Sequence, residues 1–173
     1  METISSLRFT LKTITTKHLA FIFEGLSDKI VTEHYGVHFN SLSETKEQIN
    51  WYNNLLKDNT GKWWAIHAKD NTFYGAIGFN DLNKQEQQIE IGFWLLPKFW
   101  KQGVISECLP LVINYAFSNF NINSIIAYVE SDNINSSTLL EKNNFIKSKK
   151  HIQETNKNGE MVNLNIFTYF KTK

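Results

Sequence analysis

Cysteine is almost absent from this chain: Cys108 stands alone. No internal disulfide can form, which is compatible with a reducing compartment. Its place in a helical pattern suits a small buried side chain better than a nucleophile. No run approaches the roughly 20 apolar residues that a membrane-crossing helix needs. The opening residues METISSLRFTLK lack the apolar core and cleavage site of a secretory leader. The expectation is a cytoplasmic protein with no membrane partner. A surplus of one charge is also missing, since 18 basic and 17 acidic residues leave a net charge of +1. That argues against a nucleic-acid partner held by counterion release, so any anion site must be local. Neither G-x-x-x-x-G-K-[ST] nor G-x-G-x-x-G occurs, which excludes the P-loop and dinucleotide readings.

At 173 residues, with 42% hydrophobic and 20% charged content, the chain reads as one globular domain, 1–173. No metal or disulfide is needed to hold it together. Alternation over Leu7–Lys12 predicts an opening strand. Thr15 or Thr16 then caps a helix with Leu19, Ala20, Phe23 and Leu26 inside. Residues 29–40 are irregular, with Gly36 between His34 and His38. Those two histidines are spaced for one helical face, but no third ligand is evident and no metal is expected. Ser43 opens a second helix that runs to Asp58. Trp63–Ala68 and Phe73–Phe79 are strands joined at Asp70-Asn71, and a polar run returns the chain into the next strand.

That next strand is the centre of the pattern. Ile89, Ile91, Phe93 and Leu95 alternate with Glu90, Gly92, Trp94 and Leu96 until Pro97 ends the run. A turn through Gly103 leads into a helix whose first turn is read as Lys101–Ser106, with Leu109, Val112, Ile113, Ala116 and Phe117 on its inner face. Pro110 lies inside this helix, where a kink near the first turn is expected. Free amides at a helix start bind phosphate. Lys98 and Lys101 flank the turn, and Gly103 lets an anion approach the main chain. The local residues fit an ordinary turn with two solvated lysines equally well. Ile125–Val129 follows as a strand parallel to the central one. Asp132–Ser137 caps a helix through Lys142, and Phe145–Lys149 and Met161–Phe170 close the chain as strands. The sheet is therefore mixed.

The segment Glu90-Ile91-Gly92-Phe93-Trp94-Leu95, followed by Gln102-Gly103-Val104-Ile105-Ser106, resembles the "EIGYWL … GQGIIS" motif of Rim-type ribosomal-protein N-terminal acetyltransferases. These belong to the GCN5-related N-acetyltransferase (GNAT) superfamily. The general superfamily loop, Arg/Gln-x-x-Gly-x-Gly/Ala, is matched here only at Gly103, since Trp100 and Ile105 take the other two places. The resemblance extends over nearly the whole chain, including the Leu140-Glu141-Lys142 to Phe145 ending of the second cofactor segment. It implies an α/β (α+β) fold, with a mostly antiparallel twisted sheet of about seven strands and about four helices.

The resemblance also implies acetyl-CoA as cosubstrate. Lys98, Lys101, Gln102, Gly103, Val104, Ile105 and Ser106 would surround its diphosphate. The main chain of Phe93, Trp94 and Leu95 would meet its pantetheine arm, with the Leu95 amide polarising the thioester carbonyl. Asn133 would bond pantetheine and Ser136 would protonate the leaving thiolate; both also fit plain helix caps. Glu90 and Glu154 are the candidate general bases, and Glu90 fits a structural carboxylate as well. The implied reaction is acetyl transfer to a primary amine, first of all a protein N-terminal α-amine. Acetylation of a polyamine or aminoglycoside, and a non-catalytic acyl-CoA-binding module, are the competing readings. An acidic acceptor pocket would favour the small amine, and the sequence shows no acidic cluster. Oligomeric state, a homodimer included, is left open.

Overall fold

The computed structural model describes residues 3–171. Eight strands form one sheet: β1 (Thr3–Ser5), β2 (Phe9–Thr13), β3 (Lys62–Ala68), β4 (Phe73–Asn83), β5 (Gln88–Leu95), β6 (Ser124–Glu130), β7 (Ile146–Thr155) and β8 (Met161–Phe170). They lie in the order β1-β2-β3-β4-β5-β6-β8-β7. Every neighbouring pair is antiparallel except β5 and β6. Among the described residues the α-helices are α1 (Leu19–Leu26), α2 (Leu42–Lys57), α3 (Val104–Asn119) and α4 (Ile134–Lys142). None is long and apolar enough to cross a membrane.

The alternation read in β5 sorts its side chains between two cores. Ile89, Ile91 and Leu95 pack with Val104, Cys108, Leu109 and Val112 of α3. Trp94 and Leu96 pack on the other face with Ile22 and Leu26 of α1 and Ile49, Tyr52 and Leu55 of α2. Gly25 makes that second contact close, since a Cβ there would sit 2.0 Å from the Trp94 ring. Cys108 is fully buried in the first core, and burial pushes its thiol up to about 12.

The structure changes several sequence expectations. β1 is an eighth strand. The turn that joins it to β2 is closed by Ser6, whose N–H donates to the Phe9 carbonyl at 2.9 Å and whose Oγ accepts from Phe9 N–H at 3.0 Å. Leu7 and Arg8 therefore belong to a turn. The α1 stripe is Ile22, Gly25 and Leu26, while Ala20 is exposed. The cap of α2 is Ser41, which accepts from Glu44 N–H at 3.2 Å, and not Ser43. α3 starts at Val104: Lys101 (φ 59°) and Gly103 (φ 71°) are left-handed and cannot lie in a right-handed helix. It continues unbroken through Pro110, which leaves the Ser106 carbonyl without its helical donor. β7 extends to Thr155, so Glu154 sits in a paired strand opposite Val162.

Candidate active site

The parallel ladder between β5 and β6 is short, running from Gln88↔Ser124 to Glu90↔Ile126. Beyond Glu90 the two strands part. On its other side β5 stays paired with β4 as far as Leu95, and Leu96 N–H donates to the Tyr74 carbonyl at 2.9 Å. Backbone groups alternate sides along a strand, so the amides of Phe93 and Leu95 point into the opening toward β6. The Leu95 carbonyl accepts from the Trp100 indole N–H at 2.8 Å. Trp100, at the place of the family's Arg/Gln, thereby ties the turn after β5 to the edge of the opening.

Two cavities meet there. One, of about 540 Å³, is lined by Glu47, Gln48 and Trp51 of α2 together with Glu90 and Tyr128. The other, of about 370 Å³, is lined by Leu95, Trp100, Lys101, Ile105 and Leu139. His34, Tyr35, Phe93, Asn133 and Ser136 line both. Phe93, Asn133 and Ser136 are thus brought together as the sequence suggested. Asn133 caps α4 by accepting from Ser136 N–H at 3.1 Å, which leaves its amide nitrogen free to donate. Trp94 borders the second cavity, but its ring is buried against Gly25 on the α1 face.

At the start of α3 the first intrahelical bond is Glu107 N–H to the Gly103 carbonyl. The amides of residues 101–106 make no hydrogen bond among the described residues, so six N–H groups are free around two left-handed positions. Such a concavity attracts anions. Arg8, in the β1–β2 turn, supplies a cation that the sequence gave no reason to place here. Its Nε pairs with Glu107 Oε2 at 2.6 Å, its Nη1 donates to the Gln102 carbonyl at 3.2 Å, and a Cβ on Gly103 would lie 3.6 Å from its Nη2. Gln102 Nε2 closes the turn on the Lys98 carbonyl at 2.9 Å, and Ser106 Oγ accepts from Asn143 Nδ2 at 3.1 Å. Lys98 Nζ lies 3.6 Å from Glu24 of α1, so this lysine already has an acidic partner.

The larger cavity is acidic. Glu47, Glu90 and Glu130 line it, and Asp81 and Glu154 lie close enough to act on Glu90. Burial first, then the charges of Asp81 and Glu154, push the Glu90 carboxyl up to about 7. The two base candidates are therefore coupled, with Glu90 on the wall and Glu154 acting through its charge. The expectation that no acidic cluster exists is corrected by strand pairing, which gathers residues far apart in the chain. His34 and His38 take separate partners, Glu130 at 2.7 Å and Thr32 at 2.9 Å.

A profile for the "Acetyltransferase (GNAT) domain" matches residues 8–146. The chain belongs to the GNAT acetyltransferase family. An uncharacterized N-acetyltransferase, YoaA, of Bacillus subtilis (strain 168) is 30% identical over 168 residues, covering 96% of this chain and 95% of that protein. In fold the chain is similar to RimL, a ribosomal L7/L12 alpha-N-protein acetyltransferase solved with coenzyme A, at TM-score 0.86 and 19% identity over 98% of each chain. It is similar as well to the Vibrio cholerae spermidine N-acetyltransferase solved with CoA and spermine, at TM-score 0.81 and 18% identity over 94% and 95%. This GNAT protein is an N-acetyltransferase, and the eight-stranded mixed sheet with four helices is the fold that the Rim-type resemblance implied.

Proposed function

We propose that this N-acetyltransferase transfers the acetyl group of acetyl-CoA to the α-amine of a protein amino terminus, by direct attack in a ternary complex. The observation that carries the reading is the meeting of two cavities at the point where β5 and β6 part. The diphosphate rests on the amides of residues 101–106, with Lys101 and Arg8 adding positive charge. Lys98, engaged with Glu24, contributes only its field. The pantetheine arm runs along Phe93–Leu95 and past Asn133, and the thioester carbonyl accepts from the outward amides of Phe93 and Leu95. Ser136 gives its proton to the departing thiolate. Glu90, its charge tuned by Glu154, stands on the acceptor's wall and draws the incoming ammonium.

An α-amine suits such a site because it asks less of a base than a lysine does. With a pKa near 8 it is roughly a tenth neutral at pH 7, a handicap of about 1.4 kcal/mol, against about 4.6 kcal/mol for a lysine. Similarity in fold to RimL supports this reading. A second reading is supported by the wall of Glu47, Glu90 and Glu130, which suits a small polyamine whose further ammonium groups rest against carboxylates.

A thiol-release screen against peptides, the same peptides blocked at the amino terminus, spermidine and an aminoglycoside tests both. Turnover of free but not blocked peptides is expected. Turnover of spermidine alone would replace the first reading with the second. Coenzyme A binding with no thiol release from any amine would refute transfer.

A further inference from the structure

We infer that His34, oriented by Glu130, is the group that accepts the acceptor's proton. The inference rests on the proposed transfer reaction. Of the five residues common to both cavities, His34 is the one that carries an imidazole, the side chain best suited to take and release a proton. It is part-buried, with 27% of its side chain exposed, and its Nδ1 lies 2.7 Å from Glu130 Oε2 at the end of β6. Glu130 can only accept when ionised, so Nδ1 carries the hydrogen. That leaves Nε2 with a lone pair and no hydrogen-bond partner among the described residues. A carboxylate that fixes the tautomer and steadies the imidazolium is the arrangement by which histidines act as bases.

Three hydrogen bonds from one lysine hold this loop in place. Lys157, in the turn between β7 and β8, donates to the carbonyls of Thr32, Glu33 (3.3 Å) and Tyr35 (3.1 Å), on both sides of His34 in sequence. The charged groups that line the two cavities His34 shares are Glu33 on its own loop, Glu130 from β6, Glu47 from α2, Glu90 from β5, Asp132 before α4 and Lys101 before α3, with Lys157 bonded to the loop's main chain.

In the step so defined, the acceptor ammonium gives one proton to His34 Nε2. The freed nitrogen lone pair forms the C–N bond at the thioester carbonyl. As the tetrahedral carbon collapses, the C–S bond breaks. The second nitrogen proton passes to the thiolate through the Ser136 hydroxyl, which donates one proton and takes another. The products are amide, free thiol and an imidazolium that returns its proton to solvent. Glu130 acts through His34 and is a positioning residue.

The test follows thiol release from pH 5.5 to 9.5 for the full chain and its His34→Gln, Glu130→Gln and Glu90→Gln variants, with the amine found most active. His34→Gln should lower kcat about a hundredfold or more, leave the KM for acetyl-CoA within a few-fold, and remove the acidic limb of kcat/KM. Glu130→Gln should keep that limb but move it to lower pH, because the imidazolium loses its counter-charge. Glu90→Gln should raise the acceptor's KM and leave the limb in place. A limb that survives in His34→Gln and vanishes in Glu90→Gln would overturn the inference. Nitrogen-15 spectra of the unmodified protein give an answer that needs no variant. They should show the neutral ring protonated on Nδ1, and protonation on Nε2 would overturn it too. If the unmodified enzyme released no thiol with any amine, the transfer reading itself would fail and this step with it.

Discussion

Replacing Gly103 by Glu places a carboxylate where the diphosphate is proposed to rest. The backbone cost is bounded by φ of 71°, a left-handed conformation that penalises a side chain by about 1–2 kcal/mol. Nothing lies within 3.6 Å of the new Cβ, so no clash is added. The protein should fold and melt about 2–8 °C lower. A carboxylate about 6 Å from a group of two negative charges is repelled by about 1.4 kcal/mol at the dielectric of water and about 5.5 kcal/mol at an effective value of 20. The affinity for coenzyme A should fall by roughly tenfold to ten-thousandfold. Any pairing of the new carboxylate with Arg8 lowers it further by withdrawing a cation. Titration calorimetry reads the loss, and Gly103→Ala separates its causes by carrying the backbone penalty without the charge. Alanine should bind within a few-fold of the native protein. Equal losses in both variants, or native affinity in Gly103→Glu, would refute the electrostatic reasoning.

Ser136→Ala should cut turnover at least tenfold while changing coenzyme A affinity by less than threefold, in kinetics set beside calorimetry; equal losses would mean that the hydroxyl only binds. Burial first, then the charges of Lys12 and His18, drives His67 down to about 4. The folded state therefore holds fewer protons than the unfolded chain between pH 6.5 and 4, and stability should fall as the pH drops through that window. His67→Phe should flatten this part of the melting-temperature profile, since the ring already packs edge-on against Phe73. Lys157→Met should cost about 2 kcal/mol by denaturant titration, the scale of one hydrogen bond to a charged group. It should also raise the acceptor's KM more than that of acetyl-CoA.

β5 was legible because its period of two serves two real cores and Pro97 stops it where the ladder ends. The parallel step to β6 was legible too, since a strand, a helix and a strand in that order leave little choice of hand. The helix boundaries were less so. Ser41 and Ser43 are both capping residues, and only the bond from Glu44 N–H selects Ser41. Lys101 looked helical because nothing in a lysine announces a left-handed backbone. Of the candidate site, the segments that the sequence could nominate are those that carry a motif in one continuous run: Phe93–Leu95, Gln102–Ser106 and Asn133–Ser136. What depends on pairing could not. Glu47, Glu90 and Glu130 stand about forty residues apart and form a wall only after β5, β6 and α2 assemble. Arg8 reached the start of α3 through a hairpin that the opening residues did not signal. His34 was paired in sequence only with His38, four positions away, while the partner it bonds lies 96 residues on.

Free amides around residues 101–106 are proposed to hold the diphosphate of coenzyme A while those of Phe93 and Leu95 face its acyl arm. Amide chemical shifts followed during a titration with acetyl-CoA test it most directly. The largest movements should fall on residues 101–106, with Phe93 and Leu95 next. Saturable binding that leaves those amides still and moves others would contradict it.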